Sequence, residues 1–194
     1  EDIEGFATGI RRFIIGLFKK CVIANEMAYV ADTLFGSSIA SLGTIGMIVG
    51  GVAFTFQIYF DFSGYSDMAI GLGKMLGFNY LENFNYPYVA RTITDFWRRW
   101  HITLGTWMKD YIFYPFSLSK SMAKFGKWSK KKFGNNVGKL LPVGLADILV
   151  FFVVGVWHGA AWKYIVYGMY NGIIMSFSSI MAPVYEKMFK KGNL

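Results

Sequence analysis

The sequence predicts an all-α integral membrane protein. Only 16% of its residues are charged, whereas soluble domains carry about 25%. No charged residue occurs between Thr33 and Phe60, and none occurs between Tyr164 and Tyr185. About 20 apolar residues cross the hydrocarbon core of a bilayer, so both stretches are long enough for a transmembrane helix. We expect a multi-helix bundle with re-entrant or interfacial helices beside its spans.

The net charge of +8 is compatible with two classes of partner, nucleic acid and the surface of a membrane. Basic chains often bind nucleic acid, but here the lysines and arginines flank the apolar stretches. Such flanks are typical of the cytoplasmic side of membrane proteins. We therefore expect the lipid bilayer as a partner and no nucleic acid. The single cysteine, Cys21, excludes an intrachain disulfide, and no segment has the pattern of a signal peptide.

The first half of the chain predicts an amphipathic helix and a span. Residues 9–35 mix basic pairs with apolar side chains, which fits an interfacial helix or a span entering from the cytoplasm. Residues 42–60 predict a clear span. The acids that follow predict a separate helix over residues 67–76, capped by a serine, closed by Gly77 and too short to cross the membrane. A turn-rich connector follows at residues 82–88.

The second half begins with a stretch rich in aromatic and charged residues. Its pattern predicts one helix over residues 91–107. Asp95 and Arg99 lie four residues apart, which is the spacing of an ion pair. Trp97 and His101 have the same spacing and should share a face. Such a helix is too charged to face lipid, so it fits the interface or a cavity lined by protein.

The segment from residue 120 to residue 139 holds seven lysines and no acid. We interpret it as a solvated cytoplasmic loop near anionic headgroups, with the binding of a phosphate-bearing donor as the alternative. Residues 140–157 and 162–181 predict two further spans. Gly155 and Gly159 should let the first of them loosen near its end.

The chain contains two histidines, His101 and His158, and each follows a tryptophan. An ionisable side chain beside the membrane core is costly, so a function is the first interpretation. A neutral imidazole can take the proton of a hydroxyl while an acyl group passes from a thioester to that oxygen. A second imidazole can hydrogen-bond the carbonyl or orient the acceptor. A purely structural histidine is the alternative, and the sequence offers no ligand pattern for a metal.

Four stretches are specific enough to identify a family. They are FDFSGYSDMAIGLGKMLGF from Phe60, ENFNYPY from Glu82, DFWRRWHITLGTWMKDYIFYP from Asp95 and VWHGAAW from Val156. Together they resemble the membrane-bound O-acyltransferase (MBOAT) family. Within it, they are similar to the branch of bacterial alginate O-acetyltransferases, which is related to the D-alanyl transfer proteins of teichoic acid synthesis.

The resemblance implies a ring of membrane helices around a cavity where donor and acceptor meet. His158 matches the catalytic histidine of the family's Trp-His-Gly motif, and His101 matches the histidine of its Arg-Trp-His motif. We expect the following neighbours to bind donor or substrate: Asp95, Trp97, Arg98, Arg99, Trp100 and Trp157. Family members are more than twice as long, so the 194 residues would form a central fragment of a single membrane domain.

The resemblance also implies partners. The donor would be acyl-CoA, foremost acetyl-CoA, or the thioester of an acyl carrier protein, with no bound cofactor. The acceptor would be an extracellular or cell-wall polysaccharide, reached through an extracytoplasmic acyltransferase partner. The protein would cross the bacterial cytoplasmic (inner) membrane several times. Three alternatives remain: a transporter or flippase, a structural subunit of a secretion complex, and an MBOAT enzyme that acylates a lipid or a protein.

Overall fold

The computed structural model describes residues 3–37 and 39–191. This part of the chain is helical and contains no strand, which confirms the all-α prediction. It forms two compact units, the first reaching Phe84 and the second beginning at Asn85. The α-helices are α1 Ile3–Phe18, α2 Asn25–Gly36, α3 Ile39–Met75, α4 Ile93–Arg99, α5 Ile102–Met108, α6 Tyr114–Ser117, α7 Lys120–Gly138, α8 Leu141–His158 and α9 Trp162–Lys191.

Three of these helices are long and apolar enough to cross a bilayer. The segments are Leu42–Met75, Leu141–His158 and Trp162–Pro183, with mean hydropathies of 1.5, 1.9 and 1.3. Large apolar side chains are exposed along all three, as expected where helices contact lipid rather than water. The three predicted spans therefore lie in long apolar helices, the first of which is longer than predicted, and the chain is part of a membrane protein.

In the first unit, glycines let α1 pack directly against the backbone of α3. A Cβ atom added to Gly16 would lie 2.6 Å from the carbonyl oxygen of Gly64, and one added to Gly64 would lie 2.8 Å from that of Gly16. Gly9 and Gly71 meet in the same reciprocal way. Small residues at such a seam permit the close contact that holds helices together in lipid. A π-helical segment, Lys19–Ala24, joins α1 to α2, so the predicted helix over residues 9–35 is confirmed.

The prediction of a separate helix over residues 67–76 is wrong, because α3 does not end where the acids begin. It continues as one element to Met75. Asp61 and Asp67 can stay within α3 because two lysines of the π-helical segment, Lys20 and Lys19, form ion pairs with them. The acids therefore lie inside a continuous helix, and no serine cap is needed.

The predicted stop at Gly77 is confirmed. This glycine has a φ of +83°, which favours a residue without a Cβ atom. The N–H of Phe78 donates to the carbonyl of Gly73 at 2.8 Å, and the N–H of Gly77 donates to that of Lys74 at 3.2 Å. This pair of bonds is a Schellman motif, which satisfies the last carbonyls of α3.

In the second unit, the predicted helix over residues 91–107 is broken into α4 and α5. Trp100 is extended, with φ −100° and ψ 125°. His101 is left-handed, with φ 48° and ψ 53°. Trp97 therefore lies in α4, whereas His101 lies at the break before α5, and the prediction that they share one helical face is wrong.

The lysine-rich segment is a helix, α7, and the prediction of a loop is wrong. Ser119 caps its start, because its hydroxyl accepts a hydrogen bond from the N–H of Met122 at 3.2 Å. Lysine is also a good helix former. The helix bends at Gly134, where φ is +79°. The chain then turns back, and the hydroxyl of Ser129 donates to the carbonyl of Gly138.

Helices α8 and α9 form an antiparallel hairpin whose backbones touch at glycines. A Cβ atom added to Gly155 would lie 2.6 Å from the carbonyl oxygen of Tyr164 and 3.3 Å from the Cα atom of Gly168. Farther from the turn, one added to Gly172 would lie 3.0 Å from the Cα atom of Ile148. The hairpin fixes the end of α8 against the start of α9.

Candidate functional site

His101 stands at the break between α4 and α5. Its backbone carbonyl accepts a hydrogen bond from the N–H of Gly105 at 3.0 Å, so α5 starts directly after it. A positive φ is uncommon for a residue with a side chain, and it is frequent at functional sites. The side chain is half-buried. The backbone therefore holds this imidazole in an unusual conformation at a helix start.

The second histidine ends α8. The helix continues through Gly155 and stops at His158, so the chain loosens only at Gly159, where φ is +146°. The ring centre of Trp157 lies 5.9 Å from that of His101 and 4.9 Å from that of His158. The two histidines thus share one aromatic neighbour, although the sequence separates them widely.

Two tyrosines of α9 complete the surroundings of His158, and sequence analysis missed both. The ring of Tyr164 lies 6.1 Å from that of His158 and is nearly parallel to it, while the ring of Tyr167 lies 6.0 Å away and is almost perpendicular. A Cβ atom on Gly159 would lie 2.9 Å from the ring of Tyr164. The available signal was a pair of tyrosines at the start of a span, directly after the histidine.

Burial, and next the proximity of His158, lower the pKa of His101 from 6.5 to about 4. The ring of His101 is therefore neutral near pH 7, where one ring nitrogen can donate a hydrogen bond and the other can accept one. Because His158 lowers the pKa of His101 electrostatically, the two imidazoles lie close together. Within the described residues, no group of three His, Cys, Asp or Glu side chains is placed to hold a metal ion.

Trp97 lies against α8 and carries an unused hydrogen-bond donor. Its ring centre is 5.1 Å from that of Phe151, which precedes His158 by two helical turns. The indole N–H is buried and has no hydrogen-bond partner in the part of the chain that the structure describes. A buried donor without a partner costs about 1–3 kcal/mol. Such a donor is a candidate for binding a substrate.

The remaining predicted residues in α4 and directly after it divide into two groups. Arg99 donates to both carboxylate oxygens of Asp95 at 3.0 Å, which confirms the predicted ion pair. Arg99 also donates to the carbonyl of Asn85 at 3.3 Å, so this pair fixes the preceding segment. Arg98 is exposed, and Trp100 stacks on the phenylalanine one turn earlier, with ring centres 5.7 Å apart. The structure therefore gives Asp95 and Arg99 a role in holding α4 in place.

A second polar cluster lies in the first unit. Asp67 is 6% exposed and accepts hydrogen bonds from Arg12 at 2.7 Å and from Lys19 at 2.6 Å. Arg12 also reaches both carboxylate oxygens of Glu82, at 2.9 and 2.6 Å. The charges neutralise one another. Asp67 is thus an ion-pair partner of Arg12 and Lys19, which could not be identified from the sequence because they lie far from it along the chain.

Long apolar helices and two neighbouring imidazoles define a class: an all-helical membrane protein with a histidine-containing site. Among known families, the chain matches "MBOAT, membrane-bound O-acyltransferase family" over residues 3–129 and 135–193. The chain therefore belongs to the membrane-bound O-acyltransferase family, which confirms the resemblance seen in its motifs.

Individual relatives are similar over most of this chain. It is 42% identical over 172 residues to a probable alginate O-acetylase of Azotobacter vinelandii. It is 44% identical over 175 residues to a peptidoglycan O-acetyltransferase of Helicobacter pylori. It is 33% identical over 191 residues to a teichoic acid D-alanyltransferase of Bacillus subtilis. These alignments cover 89, 90 and 95% of the chain, but only 31, 30 and 43% of the three relatives.

Proposed function

We propose that this chain forms the acyl-transfer site of a membrane O-acyltransferase. The enzyme would move an acetyl group from a cytoplasmic thioester towards hydroxyls of an extracellular or cell-wall polysaccharide. The observation that carries the proposal is the contact of Trp157 with both histidine rings. The relatives named for alginate, peptidoglycan and teichoic acid support a polysaccharide acceptor, and two of these three are named for O-acetyl transfer.

His158 would act as the general base. It takes the proton of the acceptor hydroxyl, and the hydroxyl oxygen attacks the carbonyl carbon of the thioester. The carbon–sulfur bond then breaks, and His158 returns the proton to the leaving thiolate. His158 is more exposed than His101, so its ring is the more accessible to a substrate. Proton transfer of this kind contributes about 10²- to 10⁴-fold to a rate.

His101 and Trp97 would stabilise the carbonyl oxygen. This oxygen gains negative charge during the attack and needs preorganised donors. The lowered pKa of His101 keeps its ring neutral, so it can donate a hydrogen bond without the cost of a buried positive charge. Trp97 contributes its buried indole N–H. The aromatic rings around His158 would exclude water, which would otherwise hydrolyse the thioester.

The donor would approach from the cytoplasm, as acetyl-CoA or as the thioester of an acyl carrier protein. The basic helix α7 precedes α8, and basic flanks are typical of the cytoplasmic side. The 18 residues of α8 span about 27 Å, and His158 lies at the far end. The thioester end of the donor would therefore have to reach through the bilayer to His158, and the acyl group would leave on the outer side of the bacterial cytoplasmic membrane, towards an extracytoplasmic acyltransferase partner. The exposed guanidinium of Arg98 suits a phosphate of the donor.

The test uses the full-length protein in membranes with radiolabelled acetyl-CoA, and it follows label into the polymer. We expect His158→Ala to reduce transfer at least 100-fold, because the general base is lost. His101→Ala should reduce it less, since Trp97 would remain as a donor. Membrane insertion of each variant is the control. Undiminished transfer by a well-inserted His158→Ala protein would make this histidine structural, and uptake of label without an acylated product would favour a transporter.

A further inference from the structure

Helix α7 carries a continuous row of positive charge. It holds six lysines and no acid over residues 120–132. Four of them recur at intervals of three and four residues and lie along one face. We call them the lysine stripe: Lys120, Lys124, Lys127 and Lys131. Ser129 is 0% exposed and lies on the opposite face, so the stripe points away from the surface by which α7 packs.

The charge of this helix is not compensated within the described chain. None of the ion pairs among the described residues involves a lysine of α7. The sixth lysine, Lys132, lies over the ring of Trp128, 5.2 Å from its centre. Like charges at this spacing repel one another and destabilise a helix. An anionic partner would remove that repulsion.

Contacts with α8 place α7 where a span enters the bilayer. A Cβ atom added to Gly126 would lie 3.5 Å from the Cγ atom of Pro142, in the first turn of α8. Only two residues separate the end of α7 from the start of α8. A helix packed on the first turn of a span lies at the level of the lipid headgroups.

Exposed aromatic rings distinguish α7 from a helix that is solvated on all sides. Trp128 is 49% exposed and Phe133 is 48% exposed. Trp128 stacks on Phe125, with ring centres 5.6 Å apart. Tryptophan is enriched at the membrane–water interface, because its ring is apolar and its N–H is polar. The combination of lysines and exposed rings fits lipid better than it fits a soluble anion.

We propose that the lysine stripe and Trp128 bind the phosphate groups of anionic phospholipids. Lysines close to an anionic membrane surface strengthen binding about fivefold each. The bound lipid would anchor α7 to one leaflet and fix the orientation of α8, which starts beside it. This binding is independent of acyl transfer, and its test does not depend on the proposed reaction.

The experiment reconstitutes the full-length protein in phosphatidylcholine vesicles that contain a photoactivatable phosphatidylglycerol with the reactive group in its headgroup. Cross-links to α7 are counted by mass spectrometry. Replacing the four stripe lysines by glutamine should reduce the cross-links by more than about 100-fold, because each of the four charges contributes about fivefold. The matched variant with four arginines keeps the charge and should keep the cross-links. The single variant Lys127→Gln should reduce the cross-links about fivefold. It tests the proposal even if the quadruple variant misfolds.

Competition identifies the source of the phosphate. Unlabelled phosphatidylglycerol in the same vesicles should remove the cross-links, whereas coenzyme A or inorganic phosphate in the buffer should not. Displacement by either soluble compound would overturn the proposal and assign the stripe to a soluble ligand. Equal cross-linking of the glutamine variants and the parent would overturn it as well, and so would loss of the cross-links in the arginine variant.

Discussion

The two units pack their helices in the same way and use their polar residues differently. Glycines bring backbones into contact in both: Gly16 meets Gly64 in the first unit, and Gly155 meets Gly168 in the second. At the first seam, Asp67 is held by two bases at hydrogen-bonding distance. At the end of the second seam there is a cluster of aromatic side chains instead, in which histidine, tryptophan and tyrosine rings contact one another.

This difference separates two uses of a polar group in lipid. A carboxylate that is paired on both sides has no remaining capacity to bind a substrate, but it fixes the register of the helices that supply its partners. A neutral imidazole carries one donor and one acceptor and can exchange a proton near neutral pH. We therefore expect changes to the charged residues of the first seam to affect chiefly stability and changes to the rings beside the second seam to affect chiefly activity.

The largest effect is expected at the ionic seam of the first unit. Asp67→Asn removes the charge that faces Arg12 and Lys19, and breaking a buried pair costs about 3 kcal/mol. Asp61 has a 39% exposed side chain, and its one ion-pair partner among the described residues is Lys20, so Asp61→Asn should cost less than about 1 kcal/mol. The midpoint of thermal unfolding in detergent measures both variants. Equal losses would show that burial of the pair is unimportant.

The second effect tests the unused donor of the second unit. Trp97→Phe removes the indole N–H and keeps an aromatic ring. The loss of one preorganised donor should lower kcat about 100-fold while KM changes little. Trp107→Phe is the matched control, because Trp107 is exposed and stacks on Tyr111. Equal activity of the two variants would remove Trp97 from the proposed site.

The third effect tests the feature that the units share. Gly71→Ala would place a Cβ atom 2.6 Å from the carbonyl oxygen of Gly9, and Gly168→Ala would place one against the carbonyl oxygen of Phe151. Each should destabilise the protein by about 2 kcal/mol through overpacking. Gly51→Ala meets no atom within 4 Å and should stabilise α3 by up to about 1 kcal/mol. Thermal unfolding of the three variants provides the comparison.

The fourth effect is a pH dependence that belongs to the second unit. The pKa of His101 is about 4 in the folded protein and near 6.5 when unfolded, so the unfolded state binds more protons between these values. Stability should fall as the pH drops from about 6.5 to about 4. His101→Gln should make this part of the curve flatter. Parallel curves for the parent and the variant would contradict the lowered pKa.

The sequence predicted the spans because a bilayer imposes both length and composition on a helix. The prediction of helix ends failed where a charged residue forms an ion pair with a residue that is distant in the sequence. Lys19 and Asp67 are 48 residues apart, and without their ion pair the acid marked an apparent helix end. The prediction of a loop for the lysine-rich segment failed for another reason. Charge alone does not distinguish a loop from a helix on a membrane surface.

For the candidate site, the sequence predicted which residues to examine but not how they meet. His101 and His158 were selected from their chemistry, and their catalytic roles stay predictions. The break at Trp100 contains neither glycine nor proline, so no local signal indicated it. Tyr164 and Tyr167 reach His158 because α8 and α9 form a hairpin, and residue spacing within one helix cannot predict such a contact.

The π-helical segment Lys19–Ala24 has a consequence for the tolerated length of this chain. A π-helical turn holds about one residue more than an α-helical turn. Deleting one residue there, such as the exposed Cys21, would restore α-helical spacing without interrupting the helix. Because the π-turn absorbs the extra residue locally, α1 and α2 would keep nearly the same relative orientation and Arg12 could still reach Asp67. A deletion within α1 would instead rotate the residues before it by about 100°, so it should be far more damaging than a deletion in the π-helical segment.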